Sequence, residues 1–123
     1  MPPSTLTSTD AARFAEAWIH AWNSHDLDEI MSHYAEHVTL TSPTAAVLLG
    51  DPSGEVRGTP ALRAYFQKGL EVYPNLRFDL LDVMFGVRSV VVCYLNQKGT
   101  KSAELMELDA SRQVTRVIAN YSA

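Results

Sequence analysis

"AWNSHDLDEIMSHYAEHVTLTSP", residues 21–43, decides how this chain is read, because three different patterns meet inside it. Its first residues close one helix, its middle carries a second, and its end alternates like a strand. Asp26 and Glu29 form a D-x-x-E capping pattern, and Leu27, Ile30, Met31 and Tyr34 trace an apolar face, so a short helix is expected to end near Glu36. From His37 to Ser42 the period drops to two, with Val38, Leu40 and Ser42 on one face and Thr39 and Thr41 on the other. Pro43 stops that strand. His25, His33 and His37 also fall here, and histidines four apart on a helix can chelate a metal. His37 lies beyond the helix, however, and His25 lies outside its cap, so no metal site is expected.

Upstream, from Ser8 or Thr9 to Trp22, the residues Ala11, Phe14, Ala15, Trp18, Ala21 and Trp22 recur at spacings of three and four. That is an amphipathic helix with both tryptophans on its buried stripe. Downstream, Gly50, Pro52, Gly54 and the string "AAVLL" mark residues 44–58 as a long loop, with room for a short strand at "EVR". Thr59 and Pro60 then open a third helix whose stripe is Leu62, Tyr65, Phe66, Gly69, Leu70 and Tyr73, ending at Pro74. Turn signals at "FGVRS", "NQKGT" and "DASRQ" divide the remainder into four strands near 75–85, 88–97, 101–109 and 113–122, an antiparallel meander. Helices first and strands afterwards predict an α+β fold, three helices packed on a curved, mostly antiparallel sheet.

At 123 residues the chain fits a single domain, expected over 9–123, with 1–8 as an extended or disordered lead-in. A net charge of −4 with scattered Lys and Arg leaves no basic field, so nucleic acid is not an expected partner. No apolar run approaches the roughly 20 residues of a membrane span. The N-terminus "MPPSTLTSTD" has neither the basic region nor the apolar core of a signal peptide, which makes the cytoplasm the default expectation. Cys93 is the only cysteine, and in "SVVVCYL" it reads as a buried, inert thiol.

One acidic residue breaks the apolar pattern of the last strands. In "KSAELMELD", residues 101–109, alternation puts Glu104 on one face with Met106 and Leu108.

The order of elements resembles the nuclear transport factor 2 superfamily, specifically its SnoaL-like and ketosteroid-isomerase-like members. Three segments carry the likeness: the opening stretch above, "VRGTPALRAYF" at the third helix, and "DASRQVTRVIANYS" as the final hairpin. It spans about residues 9–122. The resemblance implies a cone-shaped fold with an apolar small-molecule pocket at its open end, and a homodimer formed through the outer face of the sheet. It implies no cofactor and no metal. Ligand-pocket residues carried over are Trp18, Trp22, Ser42, Tyr65, Phe66, Met106, Ala119 and Tyr121, with Glu104 as candidate acid/base in a position whose pKa burial would raise.

The same likeness exposes departures. Where a ketosteroid isomerase carries its carboxylate base, one residue before the proline, this chain has Ser42, and the tyrosine position of the first helix falls on Trp18. On the last strand Val117, Ala119 and Tyr121 are expected to face inward, and Arg116, Ile118 and Asn120 outward. Asp82 either approaches the cavity or faces solvent, and Val47, Leu48 and Leu49 form a lid, a dimer contact or an ordinary surface excursion. Two functions follow from the resemblance: a cofactor-independent isomerase, cyclase or (de)hydratase acting on a small apolar or polyketide-like ligand, or a non-catalytic dimeric binding or scaffold domain.

Overall fold

The computed structural model describes residues 5–123. Helix α1, Ser8–Ser24, starts on a reciprocal capping box in which Thr7 Oγ1 accepts from the Asp10 N–H and the Asp10 carboxylate accepts from the Thr7 N–H, both at 3.1 Å. Those bonds hold the Asp10 carboxyl below its usual range. Of the expected lead-in, residues 1–4 lie outside the described residues, while Leu6 is buried and its N–H donates to the Val87 carbonyl at 3.1 Å. The segment just before α1 is therefore tied down.

Helix α2, Leu27–Met31, is capped by the Asp26 carboxylate, which accepts from the Asp28 and Glu29 N–H groups. It stops well before Glu36, because strand β1 begins at Tyr34 and runs to Thr41. Tyr34 is paired in parallel with Val114, whose N–H donates to the His33 carbonyl at 2.8 Å. The register then shifts between Tyr34 and Thr39, so burial falls at Tyr34, Val38 and Leu40 rather than strictly alternating. Tyr34 keeps the parity of Val38 and Leu40, but exposed Glu36 interrupts that face, and the spacing of Tyr34 from Ile30 and Met31 is that of a helix.

The region expected to be a loop holds helix α3, Pro43–Leu49, followed by strand β2, Glu55–Arg57. Ser42 is its N-cap, Pro43 stands in its first turn and Gly50 closes it at φ +65°, so start and stop signals were all present. Gly54 returns the chain to β1: its carbonyl accepts from the Ser42 N–H, and a Cβ there would lie 2.5 Å from the Ser42 carbonyl oxygen. Only glycine fits that approach. Helix α4, Thr59–Val72, enters at Gly58, so Thr59 lies inside the helix and is not its cap.

Strands β3 (Asp79–Phe85), β4 (Ser89–Leu95), β5 (Lys101–Leu108) and β6 (Val114–Tyr121) form the expected meander. The sheet order is β2-β1-β6-β5-β4-β3, antiparallel except where β1 meets β6. Helix α1 lies against β3, and α4 against β1 and β2. The three expected helices and the curved α+β architecture stand, with α3 added beside them. Trp18, Ile30, Leu62, Met106 and Val117 are fully buried between the layers.

Candidate functional site

Strand β5 positions the acidic residue. Its burial alternates so that Ser102, Glu104, Met106 and Leu108 all face the helices, and Glu104 stands between Val92 of β4 and Ala119 of β6. In the next row the order is Tyr94, Ser102, Tyr121. Small Ala119 beside Glu104 leaves space above the sheet that the tyrosines and Glu104 border. That space is a cavity of about 90 Å³, lined by Glu104, Tyr94 and Tyr121 from the sheet, Trp22 of α1, Tyr65 and Phe66 of α4, and Phe78 ahead of β3. Since one water needs about 10–15 Å³, there is room for a single substituted ring.

Glu104 is 7% exposed, and the Tyr94 hydroxyl donates a short hydrogen bond to its Oε2. Burial pushes the carboxyl up to about 7, against the opposing pull of the Tyr94 bond. Burial, followed by the neighbouring Glu104, raises the Tyr94 and Tyr121 hydroxyls, and burial raises Tyr65. The site thus combines phenolic donors that stay protonated with one carboxyl that exchanges its proton near neutrality.

Ser42 is buried at the end of β1, where its Oγ accepts from the Thr44 N–H and lies 3.1 Å from the Tyr121 hydroxyl. The serine that caps α3 therefore also orients a pocket tyrosine. A second pair of anchors sets the opposite wall. Asn23 Nδ2 donates to the Phe78 carbonyl at 2.9 Å and its Oδ1 accepts from the Phe78 N–H at 2.7 Å, while His25 Nε2 lies 2.7 Å from the Leu76 carbonyl. A carbonyl can only accept, so His25 carries its proton on Nε2. The stretch "WNSHD" is thus a clamp that holds Leu76 and Phe78 against the cavity.

Of the residues expected at the pocket, Trp22, Ser42, Tyr65, Phe66, Glu104, Ala119 and Tyr121 line it. Trp18 and Met106 do not. Trp18 lies one layer beneath, stacked on Phe78 at 5.8 Å with its indole N–H donating to the Tyr34 hydroxyl at 3.0 Å, and Met106 is sealed in the core. Both sit on the expected face but are fully buried, Trp18 among the rings of Trp22, Phe78 and Tyr94. Val117, Ala119 and Tyr121 face inward as expected, with Arg116 and Asn120 exposed.

Asp82 is exposed, outside the cavity lining, and its carboxylate accepts from the Val83 N–H at 2.8 Å. Cys93 faces the outer side of the sheet, half-buried rather than buried, with its thiol pushed up by desolvation. Val47 of α3 is 81% exposed, and Leu48 borders a second cavity at the mouth. Among the described residues no group of three or more His, Cys, Asp or Glu is arranged to hold a metal, and no helix is long and apolar enough to cross a membrane.

Sequence reasoning missed Tyr94, Leu76 and Phe78. Tyr94 was within reach, since Val90, Val92 and Tyr94 share one face of "SVVVCYL". Leu76 and Phe78 were not, because they precede β3 and only the Asn23 and His25 anchors turn them inward.

Residues 15–120 match the family described as SnoaL-like domain. A SnoaL-like protein of unknown function from Burkholderia thailandensis E264 superposes with a TM-score of 0.93 at 36% identity, covering 97% of this chain and 99% of that one. An NTF2-like protein of unknown function from Cytophaga hutchinsonii ATCC 33406 gives 0.67 at 14% identity, covering 98% and 95%. The epoxide hydrolase/cyclase-like enzyme SalBIII, described for pyran ring formation in the polyether salinomycin, gives 0.71 at 16% identity, covering 93% and 92%. The last two likenesses show the fold alone. A comparison with curated proteins gave no match.

Proposed function

The chain belongs to the SnoaL-like domain family, and on that premise we propose that it isomerises, cyclises, hydrates or dehydrates a small apolar, polyketide-like ligand without a cofactor. One observation carries this reading: among the described residues Glu104 is the sole acidic side chain lining the cavity, is buried, and is bonded to Tyr94. A carboxyl poised near 7 is matched to general acid/base work at neutral pH.

In the proposed step, the Glu104 carboxylate takes a proton from the carbon next to a ligand carbonyl. The C–H electron pair becomes the C=C bond of an enolate, and the charge arrives on oxygen. The Tyr121 phenolic O–H stabilises that oxygen while the Tyr94 O–H stays on Glu104, and the protonated Glu104 then returns its proton at a second atom. Trp22, Phe66 and Phe78 supply flat apolar walls that orient the ring. Ser42 has its place in this scheme through Tyr121.

Carbon-13 NMR titration of the glutamate carboxyls tests the reading directly. One resonance, lost in Glu104→Gln, is expected to titrate near 7; a midpoint at the ordinary glutamate value would remove the proposed acid/base.

Ser42, standing where a ketosteroid isomerase carries its base, favours a second reading, a non-catalytic dimeric ligand-binding domain. In either case we propose a homodimer through the outer face of the sheet, where Met84, Val91, Leu105 and Ile118 are registered in one apolar row across four strands. Sedimentation equilibrium at micromolar concentration is expected to return twice the chain mass, and a monomer mass would dismiss that arrangement.

A further inference from the structure

We propose that the ligand is a small acid: its neutral, oxygen-bearing ring end lies against Glu104 and Tyr94, and a carboxylate at its other end faces the Lys98 ammonium at the mouth. The inference rests on the pocket reading above and adds the ligand's charge class and direction of entry.

The cavity does not end at its mouth. A second cavity of about 150 Å³ lies between α3, the end of α4 and the β4–β5 turn, and it shares Thr44, Tyr73, Lys98, Tyr121 and Ala123 with the first. The shared residues place the two chambers side by side at the mouth. Among the described residues lining either chamber, Lys98 is the sole cationic side chain and Glu104 the sole acidic one. They mark opposite ends: Glu104 is buried at the floor, and Lys98 is exposed at the rim.

Lys98 is held there by a turn built from the pocket floor. Asn96 Oδ1 accepts from the Lys98 N–H at 3.0 Å and the Thr100 N–H at 3.2 Å, and its Nδ2 donates to the buried Ser102 Oγ at 2.8 Å. Gly99 completes the turn at φ +74°. Among the described residues the Lys98 ammonium has no ion-pair partner, whereas Arg57, Arg63, Arg77 and Arg116 each face a carboxylate.

Electrostatics assign the ends. An ionised ligand carboxylate at the floor would lose water among aromatic rings and stand beside Glu104, which is unfavourable twice over. At the rim the same group keeps water and gains a cation. The chain's net charge of −4 repels anions in general, so attraction is confined to the point where Lys98 stands.

The test compares 3-(4-hydroxyphenyl)propanoate with its neutral primary amide, both titrated into the full chain by calorimetry at pH 7.5. The acid is expected to bind roughly fivefold more tightly at low ionic strength, the upper end for an exposed pair, with the preference fading in high salt. In Lys98→Met the preference should vanish while the amide binds as before, and in Lys98→Glu it should reverse. Equal binding of acid and amide to the wild type, or a preference surviving Lys98→Met, overturns this inference and leaves the pocket reading intact. Failure of both probes to bind at millimolar concentration overturns the pocket reading along with it.

Discussion

Glu104→Gln is expected to lower turnover of a proton-transfer substrate by a factor of about 10²–10⁴ while making the protein more stable above neutral pH. The two effects have one cause. In the folded chain the carboxyl titrates at about 7, against 4.5 for a free glutamate, because it is buried. Between those values the folded state holds a proton that the unfolded state releases. The stabilisation from that proton is complete below 4.5 and is lost as pH rises through about 7, where the wild type must carry a buried charge. A glutamine fills the same space, can accept from Tyr94, and never ionises. Urea unfolding of both proteins should therefore show the variant gaining on the wild type by about 3 kcal/mol between pH 4 and pH 8. A stability difference that is the same at both pH values would mean that Glu104 is solvated, and the proposed chemistry would go with it.

Trp18→Ala is expected to cost about 3–5 kcal/mol of folding stability, the range for truncating a large aromatic in a packed core. Trp18 is fully buried, stacks on Phe78 at 5.8 Å and lies 5.4 Å from Tyr94. Its removal also strips the Tyr34 hydroxyl of the indole donor at 3.0 Å, leaving a buried polar group to pay its own desolvation cost. Trp18→Phe keeps much of the ring contact and should lose only about 1–3 kcal/mol. A family-based assignment of this position to the ligand makes the opposite forecast, lost affinity with unchanged stability. The denaturation midpoint and the affinity for an aromatic probe, measured together, separate the two.

Most of the architecture was legible because it depends on local chemistry. Periodicity found α1, α4 and the four strands of the meander, and inward alternation along β5 and β6 put Glu104, Ala119 and Tyr121 on the correct face. Two errors have a shared origin. Tyr34 was read as helical and residues 44–49 as loop, one because exposed Glu36 interrupts the strand's apolar face and the other because a seven-residue helix is too short to show its own period. The histidines that drew attention in residues 21–43 proved to serve structure: His25 holds the Leu76 carbonyl, and His33 packs edge-on against Phe14.

The sequence by itself determined the layer order and that Glu104 shares a side with Met106, since both follow from spacing along the chain, while the family came from the resemblance of three motifs to known sequences. Tertiary structure alone decided depth. Period-two alternation says that Glu104 and Met106 share a side, but small Ala119 beside Glu104 leaves a cavity at one, while Val90 and Val117 flank Met106 in the closed core at the other. The same holds for Trp18 and Trp22, four residues apart on one stripe, one sealed and one lining the pocket. Whether a side chain meets a neighbour or a void depends on volumes contributed by segments far apart in the chain, and no local pattern encodes that sum.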